Sequence, residues 1–400
     1  MTAAPDVPPH AAVQRLLRLV WDAKREGQFI TMGHLADQAV ALAAPLGDLP
    51  LLVKTRFWLA DAWRLQTRYR EALPIYIWMI GLATDPQAGR PLTDRVSQWY
   101  LARGFMDFVS AGRTLPELST AALLAVIADG LAWMEQIGHP EWTAGLRMWR
   151  GELFKWQERL VVARQELETA LALLRRHPEL PGPTLADCQL CLAELLSQHA
   201  VGAYAAAAAL AEEVLADPAS STGGRLRAYA VLADACVDLG DLDRAEQASQ
   251  DLRALGQRME GPRMQPTVYA TVGRVARARG RADEARAAAV TQWRWARRID
   301  TPGALYGTLR NAMLVRLLQA RLAAGLPATE TDRPAGLPAT ANRAAAGRYL
   351  ASAGRFLARA RPLAARLDQS AGAATYGKGL AHGAREVARL EALLAAPQAP

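Results

Sequence analysis

The sequence predicts an all-α fold, a solenoid of antiparallel helix pairs closed by a further C-terminal helical pair. Three observations carry this. The stretch YAVLADACVDLGDLDRAEQASQDL from Tyr229 matches YATVGRVARARGRADEARAAAVTQ from Tyr269 at a constant offset of 40 residues, and self-similarity at a period of roughly 20–50 residues marks a repeat architecture. Within each copy an aromatic residue is followed four positions on by a small one (Ala233, Gly273), then by a glycine (Gly240, Gly280), then by a second small residue (Ala245, Ala285). The composition, 51% hydrophobic and 22% charged, is that of a chain that packs a core and stays soluble.

The pattern has a physical reason. Two antiparallel helices joined by a tight turn approach closely only where small side chains face each other, and glycine takes the left-handed backbone that such a turn demands. One pair alone cannot bury its apolar face, so pairs stack.

Taken in order along the chain, residues 1–12 (MTAAPDVPPHAA) read as a flexible tail, and residues 13–322 as the repeat array. Equivalent turns fall at Gly27, Thr67, Gly112, Glu158, Ala200, Gly240 and Gly280, spaced by 40, 45, 46, 42, 40 and 40. The turns at Gly112 and Ala200 fit least well, because RTLPEL and HAVGAY depart from the pattern. One further amphipathic helix is predicted over 305–325. Residues 323–341, which contain GLPAT twice, read as a proline and glycine linker. Residues 342–400 form a basic cap, with helices predicted over 342–368 and 374–395.

Tyr229, Leu232, Ala233, Gly240, Leu242 and Ala245 resemble the tetratricopeptide signature, as do Leu59, Ala60, Tyr69, Ala72, Tyr76 and the closing Pro86, with Thr67 in place of the turn glycine. The chain is similar over roughly residues 13–300 to tetratricopeptide arrays of the longer type, near forty residues per repeat, found in kinesin light chains and in sensor regions of some bacterial transcription activators. The resemblance implies a right-handed superhelix with a concave groove and a role in binding proteins or peptides.

Charge is unevenly placed. Residues 1–250 hold 23 Lys+Arg against 29 Asp+Glu, and residues 251–400 hold 24 against 10. The basic C-terminal part can attract anionic surfaces such as nucleic acid or acidic protein. Codon bias is the competing cause, since the chain has 43 Arg and 4 Lys. The N-terminus lacks the pattern of a signal peptide and no long apolar run reads as a membrane span. Three cysteines, Cys188, Cys191 and Cys236, are too few for a disulfide framework. The expected compartment is the cytoplasm.

Tryptophans mark the candidate site. In RFWLADAWRLQTRYREALPIYIW, Trp58 and Trp63 lie about 140° apart on one helix and serve different surfaces. Trp63 falls on the Leu59 side and is expected in the core. Trp58 aligns with Lys54 and Asp61 on the face that lines the concave groove of the resembling family, and Trp78 is expected between repeats. Projecting that face along successive first helices gives Trp21, Lys24 and Arg25, then Lys54, Trp58, Asp61 and Arg64, then Trp99, Arg103 and Met106, then Met148, Trp149, Glu152, Lys155 and Trp156. Later repeats contribute Glu194, Asp234, Arg274 and Arg277. Five of eleven tryptophans and three of four lysines fall there. Rigid aromatic surface beside cations suits a peptide, a carboxylate or a nucleobase.

Catalytic signatures are absent: no Walker loop, no GxGxxG, no HExxH and no GxSxG occurs. The six histidines lack metal-ligand spacing, and the lone CQLC of Cys188 and Cys191 would need further ligands to hold zinc. No metal or cofactor is therefore expected. Trp58, Asp61 and Arg64 resemble the concave surface of superhelical alkylpurine DNA glycosylases, but the glycines and small residues fit tetratricopeptides better. Arg348, Arg355, Arg359 and Arg366 line one side of the C-terminal helix opposite Leu350, Phe356, Leu357 and Leu363, a stripe able to make weak contacts with nucleic acid phosphates. The expected function is a non-enzymatic adaptor that binds a partner peptide or protein in its N-terminal groove. A nucleic-acid-binding solenoid and a sensor for a small anionic ligand are the alternatives.

Overall fold

The computed structural model describes residues 8–85, 87, 92–115, 117–177, 185–198, 200–259, 263–299, 301–328, 342–371 and 375–396. Seventeen α-helices and no strand occur among the described residues. They form seven consecutive pairs: α1 (Pro9–Glu26) with α2 (Phe29–Ala43), α3 (Leu49–Leu65) with α4 (Tyr69–Thr84), α5 (Arg95–Gly112) with α6 (Thr120–Gln136), α7 (Thr143–Trp156) with α8 (Leu160–Arg176), α9 (Leu185–Leu196) with α10 (Tyr204–Ala216), α11 (Thr222–Leu239) with α12 (Leu242–Gly256), and α13 (Gln265–Ala278) with α14 (Ala282–Ile299). Three longer helices follow, α15 (Pro302–Ala323), α16 (Arg343–Ala371) and α17 (Thr375–Ala395). The chain is thus a tetratricopeptide-like helical-repeat protein in its architecture.

The turn inside a pair is the most regular feature. Gly27, Gly240 and Gly280 take left-handed backbones, with φ of 78°, 81° and 72°. In each case the next amide donates back to a carbonyl five residues earlier, as Asp241 N does to Cys236 O at 3.0 Å. This is the hydrogen-bonded helix stop that glycine favours. Thr67 and Glu158 close their helices by the same bond, Arg68 N to Trp63 O at 2.8 Å and Arg159 N to Phe154 O at 2.9 Å, yet carry side chains at φ of 68° and 59°. A β-branched residue there is strained. Across the pairs Ala233, Ala245 and Ala285 are fully buried, and a Cβ on Gly273 would stand 3.4 Å from that of Ala288.

Two expected turns differ. Gly112 ends α5 without a left-handed backbone. It is small because the connection to α6 folds back on it, and a Cβ there would meet Leu118 and Leu123 at 2.8 and 2.9 Å. The turn drawn at Ala200 sits at Gly202, φ 66°. The first helix begins at Pro9, inside the stretch expected to be a tail, because proline is well placed in a first helical turn. Pro86 and most of the expected linker lie outside the described residues. α15 shares its apolar core with α16 and α17, through Met313, Leu317, Leu350, Leu357 and Leu380.

The array curls until distant pairs touch. Thr222 Oγ1 donates to Arg25 O at 3.0 Å, and Met259 packs on Gly27. Leu226, Leu252, Met259 and Val268 belong to the same apolar core as α1 to α6. The C-terminal helices close a second contact: Thr120 Oγ1 donates to Ser370 O at 2.8 Å, and Lys378 pairs with Glu158. Neighbouring first helices line the inner side of this coil.

Candidate functional site

A cavity of about 1060 Å³ opens on the inner side of the coil. Trp21, Trp58, Trp99 and Trp149 stand on its wall, from α1, α3, α5 and α7. Trp21 is 49% exposed and meets Trp58 edge-on, with ring centroids 5.7 Å apart. Lys24 Nζ lies 5.0 Å from the Trp58 centroid. Arg113 stacks over Trp149 and Trp156 at 4.7 and 5.2 Å.

Of the residues expected on this face, Trp21, Lys24, Arg25, Trp58, Arg64, Trp99, Arg103 and Trp149 border the cavity, together with Met106 and Met148. Lys54, Asp61, Glu152, Lys155 and Trp156 do not. Lys54 is half-buried beside α1 and donates to Gln14 at 3.5 Å, and burial lowers its pKa. Asp61 is wholly buried behind the wall. Trp156 lies beneath Arg113.

The charged residues pair with one another along the inner face, helix to helix. Asp61 accepts from Lys24 Nζ at 2.8 Å and from Arg64 Nε at 3.1 Å. Arg64 also faces Asp107, which accepts from Arg103 Nη2 at 2.9 Å. A second cluster joins Lys155 to Glu152 at 2.5 Å and to Glu194 at 3.5 Å, with Arg113 on Glu152 and Arg227 on Glu194 at 2.8 Å. A third sets Arg274 on Asp234 and Asp238 at 3.2 and 2.7 Å. Burial alone would raise the Asp61 carboxyl, but Lys24, Arg64 and Arg103 outweigh it and hold it far below the usual carboxylate range. Glu194 is likewise held at about 2, against its burial, by Arg227 and Lys155. Asp61, sealed from solvent and locked as an anion, is no general base, so the likeness to a glycosylase surface ends here.

Trp58 stands on the cavity wall and Trp63 packs against the core, as expected, but their burial is the reverse of that expected. Trp58 borders the cavity yet is only 5% exposed, packed against Phe57 at 5.3 Å and Trp21. Trp63 remains partly exposed, with Arg68 5.3 Å over its ring. The cover of Trp58 comes from its own and the adjacent repeat: Trp21 and Lys24 of α1 and the neighbouring Phe57 close over its ring. Trp78 packs against Arg56 at 4.6 Å within its own pair.

Sequence reasoning missed the residues that arrive from this second pass of the chain. Met259, Arg263 and Met264 line the cavity from the connection between α12 and α13, and Arg227 lines it from α11. No local pattern marks them; the C-terminal excess of arginine is the one signal that bore on them. Cys188 and Cys191 are buried, with Cys188 Sγ 3.5 Å from Leu167 O, and burial pushes the Cys191 thiol up to about 12. Both are small apolar packing residues. Among the described residues no group of three or more His, Cys, Asp or Glu is placed to hold a metal, and no helix is long and apolar enough to cross a membrane. Arg348, Arg355, Arg359 and Arg366 are exposed along α16, opposite buried Leu350 and Leu357.

No protein-family model matches the chain, and no curated protein matches it. Among solved structures it is similar to a Rap protein complexed with Competence and Sporulation Factor, at 14% identity over 96% of this chain and 100% of that one, TM-score 0.48. It is also similar to a tetratricopeptide repeat protein from Parabacteroides merdae, at 17% identity over 71% of this chain and 92% of that one, TM-score 0.37. A circular tandem repeat protein with novel repeat topology aligns at 13% identity over 95% and 90% of the two chains, TM-score 0.20. At these scores none bears on what the cavity holds.

Proposed function

We propose that this protein is a non-enzymatic, cytoplasmic adaptor whose inner cavity holds a short peptide segment of a partner protein. The observation that carries this reading is the half-exposed Trp21 on a wall shared with Trp58, Trp99 and Trp149, beside Lys24 and Arg103. A large ring left in water at the mouth of a cavity is apolar surface awaiting a partner, and tryptophan dominates binding energy where a ligand buries it. The cavity, at about 1060 Å³, stands at the upper end of the roughly 300–1,000 Å³ range of small-molecule sites. That volume suits a few residues of extended chain better than a metabolite. The ion pairs along the wall, Lys24 with Asp61 and Arg103 with Asp107, fix the helices that carry the tryptophans.

The test is retention of short synthetic peptides, read by mass spectrometry, on the full chain and on its Trp21→Ala variant. Trp21 is exposed, so the variant is expected to keep its melting temperature. Peptides retained by the unaltered protein are expected to bind it at least about 2 kcal/mol more weakly, roughly thirtyfold. Peptides held equally by both proteins, or salt-resistant retention of a DNA or RNA oligonucleotide that depends on Trp21, would contradict the proposal.

A further inference from the structure

Most cations of the inner face have a carboxylate. Lys24 has Asp61, Arg103 has Asp107, Lys155 has Glu152, Arg227 has Glu194 and Arg274 has Asp238. Arg263 is different. It lines the cavity from the connection between α12 and α13, between Met259 and Met264, and among the described residues no carboxylate pairs with it. The groups that face it are Arg64, Arg113, Tyr69 and Asp61. Of these, Asp61 is already saturated by Lys24 and Arg64. Burial and the Arg64 charge lower the Arg263 pKa to about 10, an unfavourable setting for a guanidinium. A partly desolvated cation that no described carboxylate neutralises weakens the fold, and a ligand that supplies the negative charge offsets that cost.

We propose that Arg263, set in the cavity wall beside Arg64, is the seat of an acidic side chain of the bound peptide. This rests on the peptide reading above and names the chemistry that the peptide must carry. A guanidinium offers two parallel N–H donors to a carboxylate, and among the described residues no side chain accepts from Arg263. The tryptophan wall then takes the flanking apolar residues, so the favoured segment pairs an aspartate or glutamate with aromatic or aliphatic neighbours. The rim, where exposed Arg25, Arg225 and Arg258 stand among Asp22, Glu26 and Asp251, is mixed in charge and does not set this preference.

Two pools of short peptides, acetylated and amidated at their ends, separate the possibilities. Both carry one fixed tryptophan and random apolar positions; one has a fixed glutamate and the other a glutamine in its place. Affinity is measured by fluorescence polarisation on the full chain, on Arg263→Gln and on Arg263→Lys. The unaltered protein is expected to prefer the acidic pool by about tenfold. Arg263→Gln is expected to bring the two pools within about twofold while melting no lower than the parent, since it removes a half-buried charge that no described carboxylate pairs with. Arg263→Lys keeps the charge but not the fork, and is expected to retain part of the preference; it decides the matter if the glutamine variant does not fold. Equal binding of both pools to the unaltered protein overturns this inference and leaves the peptide reading standing. Binding of neither pool overturns both. An acidic preference that survives in both Arg263 variants removes the seat from Arg263.

Discussion

Replacing Asp61 by asparagine probes the charged layer that holds the first three repeats together. The side chain keeps its shape and loses its charge. Asp61 is wholly buried, and its partners differ in access to water: the Lys24 side chain is 25% exposed and that of Arg64 only 9%. Breaking a buried pair by neutralising one member costs about 3–5 kcal/mol, because the partner is left uncompensated. Two features place this case at the lower end. Arg64 keeps Asp107 at 3.6 Å and Ser110 at 3.3 Å, and Lys24 can turn outward. The expected loss is therefore about 3 kcal/mol, a large part of the roughly 5–15 kcal/mol that holds a domain together. Urea unfolding followed by tryptophan fluorescence reports it directly, since Trp21, Trp58 and Trp99 surround the site and long repeat arrays need not unfold as one unit. Adding Lys24→Met to Asp61→Asn is expected to recover part of the loss, which makes the coupling measurable in a double-mutant cycle. A loss below about 1 kcal/mol would show a water-screened network of the surface kind and refute the reasoning.

Trp58→Ala is expected to destabilise the protein by about 3–5 kcal/mol, the cost of truncating a buried tryptophan, and Trp63→Ala by less because its ring is partly exposed; melting temperatures in the opposite order would return Trp58 to an open surface. Thr67→Gly is expected to stabilise by about 0.5–1 kcal/mol, since glycine relieves roughly 1–2 kcal/mol of left-handed strain and loses part of that to chain entropy; a lower melting temperature would mean the threonine side chain does more than tolerate the turn. Asp61 and Glu194 have depressed folded-state pKa values, so their contribution is complete above the ordinary carboxylate range and is lost as pH falls through it toward about 2. Thermal melts are therefore expected to be flat from neutrality to about pH 5 and to fall steadily below it, with Glu194→Gln losing part of that slope; an unchanged slope in the variant would place the acid sensitivity elsewhere.

What the sequence made legible is what is local. The forty-residue offset located the turns at Gly27, Gly240 and Gly280, and also at Thr67 and Glu158, where no glycine marks them. The stop is set by the hydrogen bond between its flanking residues, and the offset reports that whatever the side chain. The turn drawn at Gly112 failed for the converse reason: a glycine can be needed for close packing, here against Leu118 and Leu123, without being a turn. The inner face was legible helix by helix, and eight of its thirteen candidate residues border the cavity. The coil was not. Contacts such as Thr222 with Arg25 and Met259 with Gly27 join residues about two hundred positions apart, and they add Arg263 and turn an open groove into a cavity. Helical periodicity carries the direction of a side chain within its repeat, whereas the rotation from one repeat to the next accumulates out of many small packing angles.

Hydrogen exchange with and without a retained peptide tests the central claim most directly, because it shows which helices the ligand covers. Protection is expected along the inner helices α1, α3, α5 and α7 and at the connection between α12 and α13, with the outer helices α2, α4, α6 and α8 unchanged. Protection confined to the outer helices or to the arginine stripe of α16, with no change around Trp21, Trp58 and Arg263, would contradict the account.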